Sequence, residues 1–188
     1  VAFDRSVQKL FIDMGADAVI YCEDNASTKD YVDAFEKLKS ENIVVYPNGN
    51  DSILSAVQAK NIYGKANITV INSKSIAECY ASLPIIDFSE TDINAVTDVI
   101  NEAISRLYVV SIAHRNKPVV YGGKSIDENA FYAYRGKEIL AVKRTLEDTV
   151  VETVKVTLDK QEKDVLTLFY GNNISQSQID SIVEAITD

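Results

Sequence analysis

The sequence predicts an α/β protein in which a parallel-sheet βα lobe is joined to a smaller antiparallel α+β lobe. Two patterns carry this prediction. Through about residue 83, short β-branched runs alternate with amphipathic stretches, as in a parallel sheet covered by helices. After Pro84, one amphipathic stretch is followed by strand-like runs separated by turn residues, which is the grammar of antiparallel pairing. The lobe boundaries expected from these patterns are 1–88 for the βα lobe, 89–144 for a helix with antiparallel strands, and 145–188 for a return to the βα lobe.

In the first lobe the strands are expected at 1–3, 18–21, 43–46 and 67–71, with helices at 6–14, 28–39, 52–61 and 75–83. The second helix has the clearest start. Ser27-Thr28-Lys29-Asp30 places a hydroxyl at the N-cap and an acid three residues on, and Tyr31, Val32, Phe35 and Leu38 then recur at helical spacing. Gly15 and Gly64 follow helices where a left-handed residue is needed to end the turn.

Beyond Pro84 a helix is expected at 92–105, then strands at 107–112, 118–121, 131–134 and 138–142. Asn116-Lys117, Gly122-Gly123 and Arg135-Gly136-Lys137 link them, the last as a hairpin turn. A helix at 145–156, a strand at 165–170 and a helix at 175–186 complete the chain. Strand alternation puts Tyr132 and Tyr134 on one face, either as a contact strip or as a cover for neighbouring elements.

With 188 residues, 46% of them hydrophobic and 25% charged, the chain has the composition of an ordinary globular protein. Its 28 Asp and Glu outnumber 19 Lys and Arg for a net charge of -9, which repels phosphate backbones, so nucleic acid is not an expected partner. No apolar run approaches the ~20 residues of a transmembrane segment. Cys22 and Cys79 both fall inside apolar-periodic segments and read as reduced thiols. These features together predict a cytoplasmic protein. The opening in a strand-like run at Val1 reads as a piece of a longer protein.

Candidate chemistry gathers in the loops that follow the strands, where an open α/β sheet collects helix N-termini. The loops are Asn25-Ala26-Ser27-Thr28, Pro47-Asn48-Gly49-Asn50 and Asn72-Ser73-Lys74-Ser75. Ser27, Thr28, Asn48, Asn50, Ser73 and Lys74 could cradle a carboxylate or phosphate there, while Ser27, Ser52 and Ser75 also fit plain helix caps. Arg115, beside the single His114, is a further candidate anion contact. There is no GxGxxG and no GxxxxGK[ST], so the usual nucleotide cradle is missing, and one His cannot build a metal centre. No catalytic residue, metal ligand or cofactor site is expected in this chain.

The order of segments resembles the C-terminal region of dihydroxyacetone-kinase-domain-containing proteins, the ATP-binding subunits of bacterial fatty acid kinase, over nearly the full length. The motifs that carry it are Gly15-Ala16-Asp17 before a strand, Asn25-Ala26-Ser27-Thr28-Lys29-Asp30 at a helix start, Pro47-Asn48-Gly49-Asn50, Asn72-Ser73-Lys74-Ser75-Ile76, the strand end Ser111-Ile112-Ala113-His114-Arg115-Asn116, and Leu166-Thr167-Leu168-Phe169-Tyr170-Gly171. The chain departs from the family at Asp4-Arg5-Ser6, at Tyr21-Cys22-Glu23-Asp24 and at Ala77-Glu78-Cys79, where the family has glycine-rich or Pro-Gln-Gly turns.

The resemblance implies a DegV-like fold and a non-catalytic domain that recognises the fatty-acid-binding partner subunit. It places ATP and magnesium on a separate N-terminal dihydroxyacetone-kinase-like domain. The alternative it leaves open is a DegV-like domain that itself binds a fatty acid between its lobes, with the carboxylate on Ser27, Thr28 and neighbouring amides.

Overall fold

A computed structural model describes residues 1–187. It is mixed α/β, with one parallel and two antiparallel sheets among the described residues, and it divides into two compact units, Val1–Tyr108 and the chain from Val109 onward.

The first unit contains α1 (Arg5–Asp13), α2 (Thr28–Leu38), β1 (Asn42–Val45), α3 (Asn50–Tyr63), β2 (Asn67–Val70), α4 (Ile76–Ser82), a short 3-10 turn at Leu83–Ile85 and α5 (Ile93–Ser105). β1 and β2 pair in parallel, Ile43 opposite Ile68 and Val45 opposite Val70. The two-residue period of the strands sends their side chains to two cores. Ile43, Val45 and Ile68 meet Tyr31 and Phe35 of α2 and Ala56 and Ala59 of α3. On the other side Tyr46 and Ile71 meet Phe11 of α1, Cys79 of α4, Leu83 and Ile100 of α5. Ala56 and Ala59 lie one helical turn apart and are fully buried, so their small side chains are what α3 presents to its neighbours.

The segments at 1–3 and 18–21 do not form ladders of their own. They meet in a single parallel bridge between Ala2 and Tyr21, with Ala2 N–H donating to the Ile20 carbonyl at 2.9 Å and Cys22 N–H to the Ala2 carbonyl at 3.1 Å. α5 belongs to this unit, because Ile100 and the flanking Val96 and Ile104 form its apolar face against the second core. The first boundary therefore falls after residue 108, not at 88.

The second unit is built on the antiparallel sheet β3 (Ser111–His114), β6 (Phe131–Arg135) and β7 (Glu138–Lys143), in the order β3-β6-β7. β4 (Val119–Tyr121) and β5 (Lys124–Ile126) form a separate hairpin, whose second strand the sequence pattern misses because Lys-Ser-Ile has no apolar alternation. β6 and β7 join through Gly136-Lys137, with Gly136 at φ 58°, the turn that the sequence predicts. α6 (Leu146–Leu158) packs on β6 and β7, where the register partners Ala133 and Ala141 are buried, and α7 (Gln176–Thr187) packs on α6. Both helices fall within the second compact unit, with the antiparallel sheet.

Residues 165–170 form no strand, contrary to the sequence expectation, and Val165 is 83% exposed. The strand expected at 107–112 starts only at Ser111.

Candidate functional site

The loops that follow β1 and β2 meet. Asn48 N–H donates to Ser73 Oγ at 3.0 Å, and both residues are buried. Asn48 adopts a left-handed conformation at φ 57°, which Asn tolerates better than most residues, and its Nδ2 donates to the Val1 carbonyl at 2.8 Å. Buried in this way, Asn48 and Ser73 shape the loop edge from beneath. Asn50 and Lys74, one or two residues further on, are exposed.

Two of the three helix starts at this edge are closed by their own side chains. At α2, Ser27 Oγ accepts from Asp30 N–H, while Asp30 Oδ2 accepts from Ser27 N–H at 2.9 Å and from Ser27 Oγ at 2.6 Å. These hydrogen bonds, the side-chain one first, hold the Asp30 carboxyl below its ordinary value. At α4, Ser75 and Glu78 form the same reciprocal box. At each start the serine hydroxyl takes a first-turn N–H, and the carboxylate takes the N-cap N–H and sits at the positive end of the helix dipole, so both starts already carry an anion where a phosphate would bind. Thr28 Oγ1 donates to Gln58 Oε1 of α3 at 3.0 Å, a link between helices.

The start of α3 differs. Its N-cap is Gly49, which supplies no side-chain cap. Around it lie buried polar atoms without hydrogen-bond partners: Asn48 Oδ1, Ser52 Oγ and the Tyr31 hydroxyl. Burial pushes the Tyr31 phenol well above its ordinary value, and the nearby Ser52 hydroxyl partly offsets this although the two do not reach good hydrogen-bond geometry. Sequence reading singles out Ser52 as a cap and Tyr31 as core. Their meeting depends on α2 and α3 packing side by side, which no local spacing encodes.

Arg115 is exposed and lies in the second unit, where its carbonyl accepts from Asn129 N–H at 2.8 Å. His114 stacks on Phe131 with ring centroids 4.5 Å apart. Tyr132 and Tyr134 are not an open strip: they pack with Tyr121 of the β4-β5 hairpin at 4.7–5.7 Å between centroids, Tyr132 is buried, and the Tyr121 hydroxyl donates to the Gly136 carbonyl. Both cysteines are free thiols, and burial pushes the Cys79 thiol up to about 11. Among the described residues no group of three His, Cys, Asp or Glu side chains could hold a metal ion, and no helix is long and apolar enough to cross a membrane.

Comparison with known proteins places these features in a family. The profile of the FakA-like C-terminal domain of fatty acid kinase matches residues 1–188. Two proteins from Staphylococcus aureus, both named only as uncharacterized, align over all of this chain: one from strain bovine RF122 / ET3-1 at 23% identity and one from strain USA300 at 22%. The chain spans 34% of the length of each of these relatives. From its first strand to its last helix, the chain belongs to the FakA-like C-terminal domain family of fatty acid kinase.

Proposed function

We propose that this domain is a non-catalytic recognition module within its kinase and that it docks onto the fatty-acid-carrying partner protein. The observation that carries the reading is the closure of the α2 and α4 starts by Asp30 and Glu78, within a domain of a fatty acid kinase family. An edge whose helix starts already hold carboxylates is a poor phosphate cradle and a good polar docking surface. Phosphoryl transfer then takes place on another domain of the kinase, and this domain needs no cofactor of its own.

In this reading Ser27, Asn50 and Lys74 are the exposed contacts of the first unit, Thr28, Asn48 and Ser73 hold their loops in shape, and Arg115 is a separate exposed contact on the second unit. The test is isothermal titration of the domain with the fatty-acid-binding protein. The paired variant Lys74→Ala, Arg115→Ala is expected to bind at least about tenfold more weakly, equivalent to about 1.4 kcal/mol. Unchanged affinity in that variant overturns the assignment of the surface, and absence of binding by the unaltered domain overturns the reading itself.

A further inference from the structure

The acidic excess is not spread evenly along the chain. Residues 115–144 hold seven of the 19 Lys and Arg but only three of the 28 Asp and Glu, a net +4 within a chain of net charge -9. The fold gathers part of this positive charge on one tip of the second unit.

Two turns form the tip, Gly122-Gly123 between β4 and β5 and Gly136-Lys137 between β6 and β7. The Tyr121 hydroxyl donates to the Gly136 carbonyl at 2.8 Å, and a Cβ added to Gly122 would run into the Lys137 carbonyl oxygen, so the turns are tied and in contact. Behind them the rings of Tyr121, Tyr132 and Tyr134 pack together. Lys124 is the register partner of Tyr121, which places it on the hairpin end that meets the turn of Lys137.

Glu138 registers the crowding of cations there. Its 2.9 Å hydrogen bond from Lys160 and the Lys160 charge hold its carboxyl below the ordinary value, and the charges of Arg135 and Lys124 add to the effect. Of the three acids in the span, Glu138 is thus engaged by Lys160, and Asp127 faces Arg144 at 3.8 Å. Lys124 and Lys137 are exposed, and among the described residues neither forms an ion pair within 4.0 Å.

Shape and charge together select what such a tip binds. Residues 122–125 and 135–138 are all exposed, so the surface is convex, whereas sites for small ligands are concave. The net charge of the chain repels nucleic acid. On the outer face of the β4-β5 hairpin Val120, paired with Ser125, is 72% exposed, which sets an apolar contact beside the cations, as in the apolar centre and charged rim of a protein interface. Charges mounted on tied turns also lose little freedom on binding.

We propose that this tip is a docking surface for a carboxylate-rich patch on the partner protein, with Lys124 and Lys137 as its charged contacts and Val120 as its apolar one. The inference rests on the docking reading above and adds to it a second surface and the chemistry of what meets it.

The test is titration of the 188-residue chain with the fatty-acid-binding protein at low and at high salt, for the unaltered chain, for Lys124→Glu, Lys137→Glu, and for a control, Lys37→Glu, Lys60→Glu, which makes the same charge change at the ends of α2 and α3. The near-ultraviolet signal of the tyrosine cluster checks that the tip variant is folded. At low salt the tip variant is expected to bind at least about tenfold more weakly than the unaltered chain, the difference is expected to shrink at high salt, and the control is expected to bind as the unaltered chain does. Unchanged affinity in the tip variant overturns this surface and leaves the docking reading standing, whereas no binding by the unaltered chain removes both. Equal weakening in the control overturns the tip as well, since only overall charge would then matter. So does binding of the unaltered chain to equimolar phosphatidylglycerol and phosphatidylcholine vesicles that the tip variant loses, because the tip would then read a lipid surface.

Discussion

Asn48 N–H donates to Ser73 Oγ across 3.0 Å, so a single hydroxyl ties the loop after β1 to the loop after β2. The bond is buried at both ends, with Asn48 at 3% and Ser73 at 0% exposure. It brings two segments 25 residues apart to one edge of the sheet.

Ser73→Ala leaves the Asn48 amide buried and unpaired, at an expected cost of about 1–3 kcal/mol in urea denaturation. Asn48→Gly keeps the left-handed backbone easily but loses the bond from Nδ2 to the Val1 carbonyl. Asn48→Ala loses that bond and adds about 1–2 kcal/mol of backbone strain, so it should be the less stable of the two. An unchanged midpoint for Ser73→Ala would show that the two loops do not depend on this bond.

Glycine matters for different reasons at two positive-φ sites. Gly64, at φ 60°, ends α3 with open space around it, and Gly64→Ala should cost only the backbone strain of about 1 kcal/mol. Gly122, at φ 56°, packs its turn against the β6-β7 turn, where an added Cβ would lie 2.0 Å from the Lys137 carbonyl oxygen. Gly122→Ala should therefore be clearly more destabilising, with the loss read in the near-ultraviolet signal of the Tyr121, Tyr132 and Tyr134 cluster. Equal costs at the two sites would mean that the hairpins are not in contact in solution.

The cysteines should separate in a thiol-labelling experiment at mildly alkaline pH, because only the thiolate reacts. Burial pushes the Cys79 thiol up to about 11, and Cys79 is 4% exposed. Cys22 is also raised by burial, but it is only partly covered. Cys22 should label first in the native protein, Cys22→Ser should abolish that phase, and Cys79 should react only on unfolding. Prompt labelling of Cys79 in folded Cys22→Ser protein would contradict the buried position of α4.

The capping box of α2 links stability to acid. Hydrogen bonds from Ser27, its hydroxyl first and its N–H second, depress the folded-state value of Asp30. A depressed carboxylate stabilises the fold above its unfolded value of about 3.9, and the contribution disappears as pH falls through the folded-state value. Ser27→Ala should cost about 1 kcal/mol near neutral pH, and the gap from the unaltered protein should narrow in acid. A gap of the same size at neutral and strongly acid pH would disconnect the cap from the Asp30 charge.

The local rules written into the residues account for much of this architecture. Ser27 followed by Asp30 starts α2 because both halves of the box lie within one turn, and Gly64 ends α3 because a residue without Cβ adopts the left-handed turn without strain. The alternation of β1 and β2 specifies two apolar faces, and both are covered by helices. The family motifs at Asn25-Ala26-Ser27-Thr28 and Pro47-Asn48-Gly49-Asn50 are local sequence and are legible in the same way.

What the residues could not settle alone was any property that needs a distant partner. The run at 165–170 has the β-branched and aromatic content of a strand, but a strand exists only against another edge, and Leu166 remains 54% exposed there. Tyr132 could equally have been an open contact until the β4-β5 hairpin brought Tyr121 onto it. Ser27 and Ser73 look alike in sequence, both hydroxyls in post-strand loops. Tertiary packing alone made one an exposed cap and the other a buried clamp, because burial and pairing depend on elements that lie far apart in the chain.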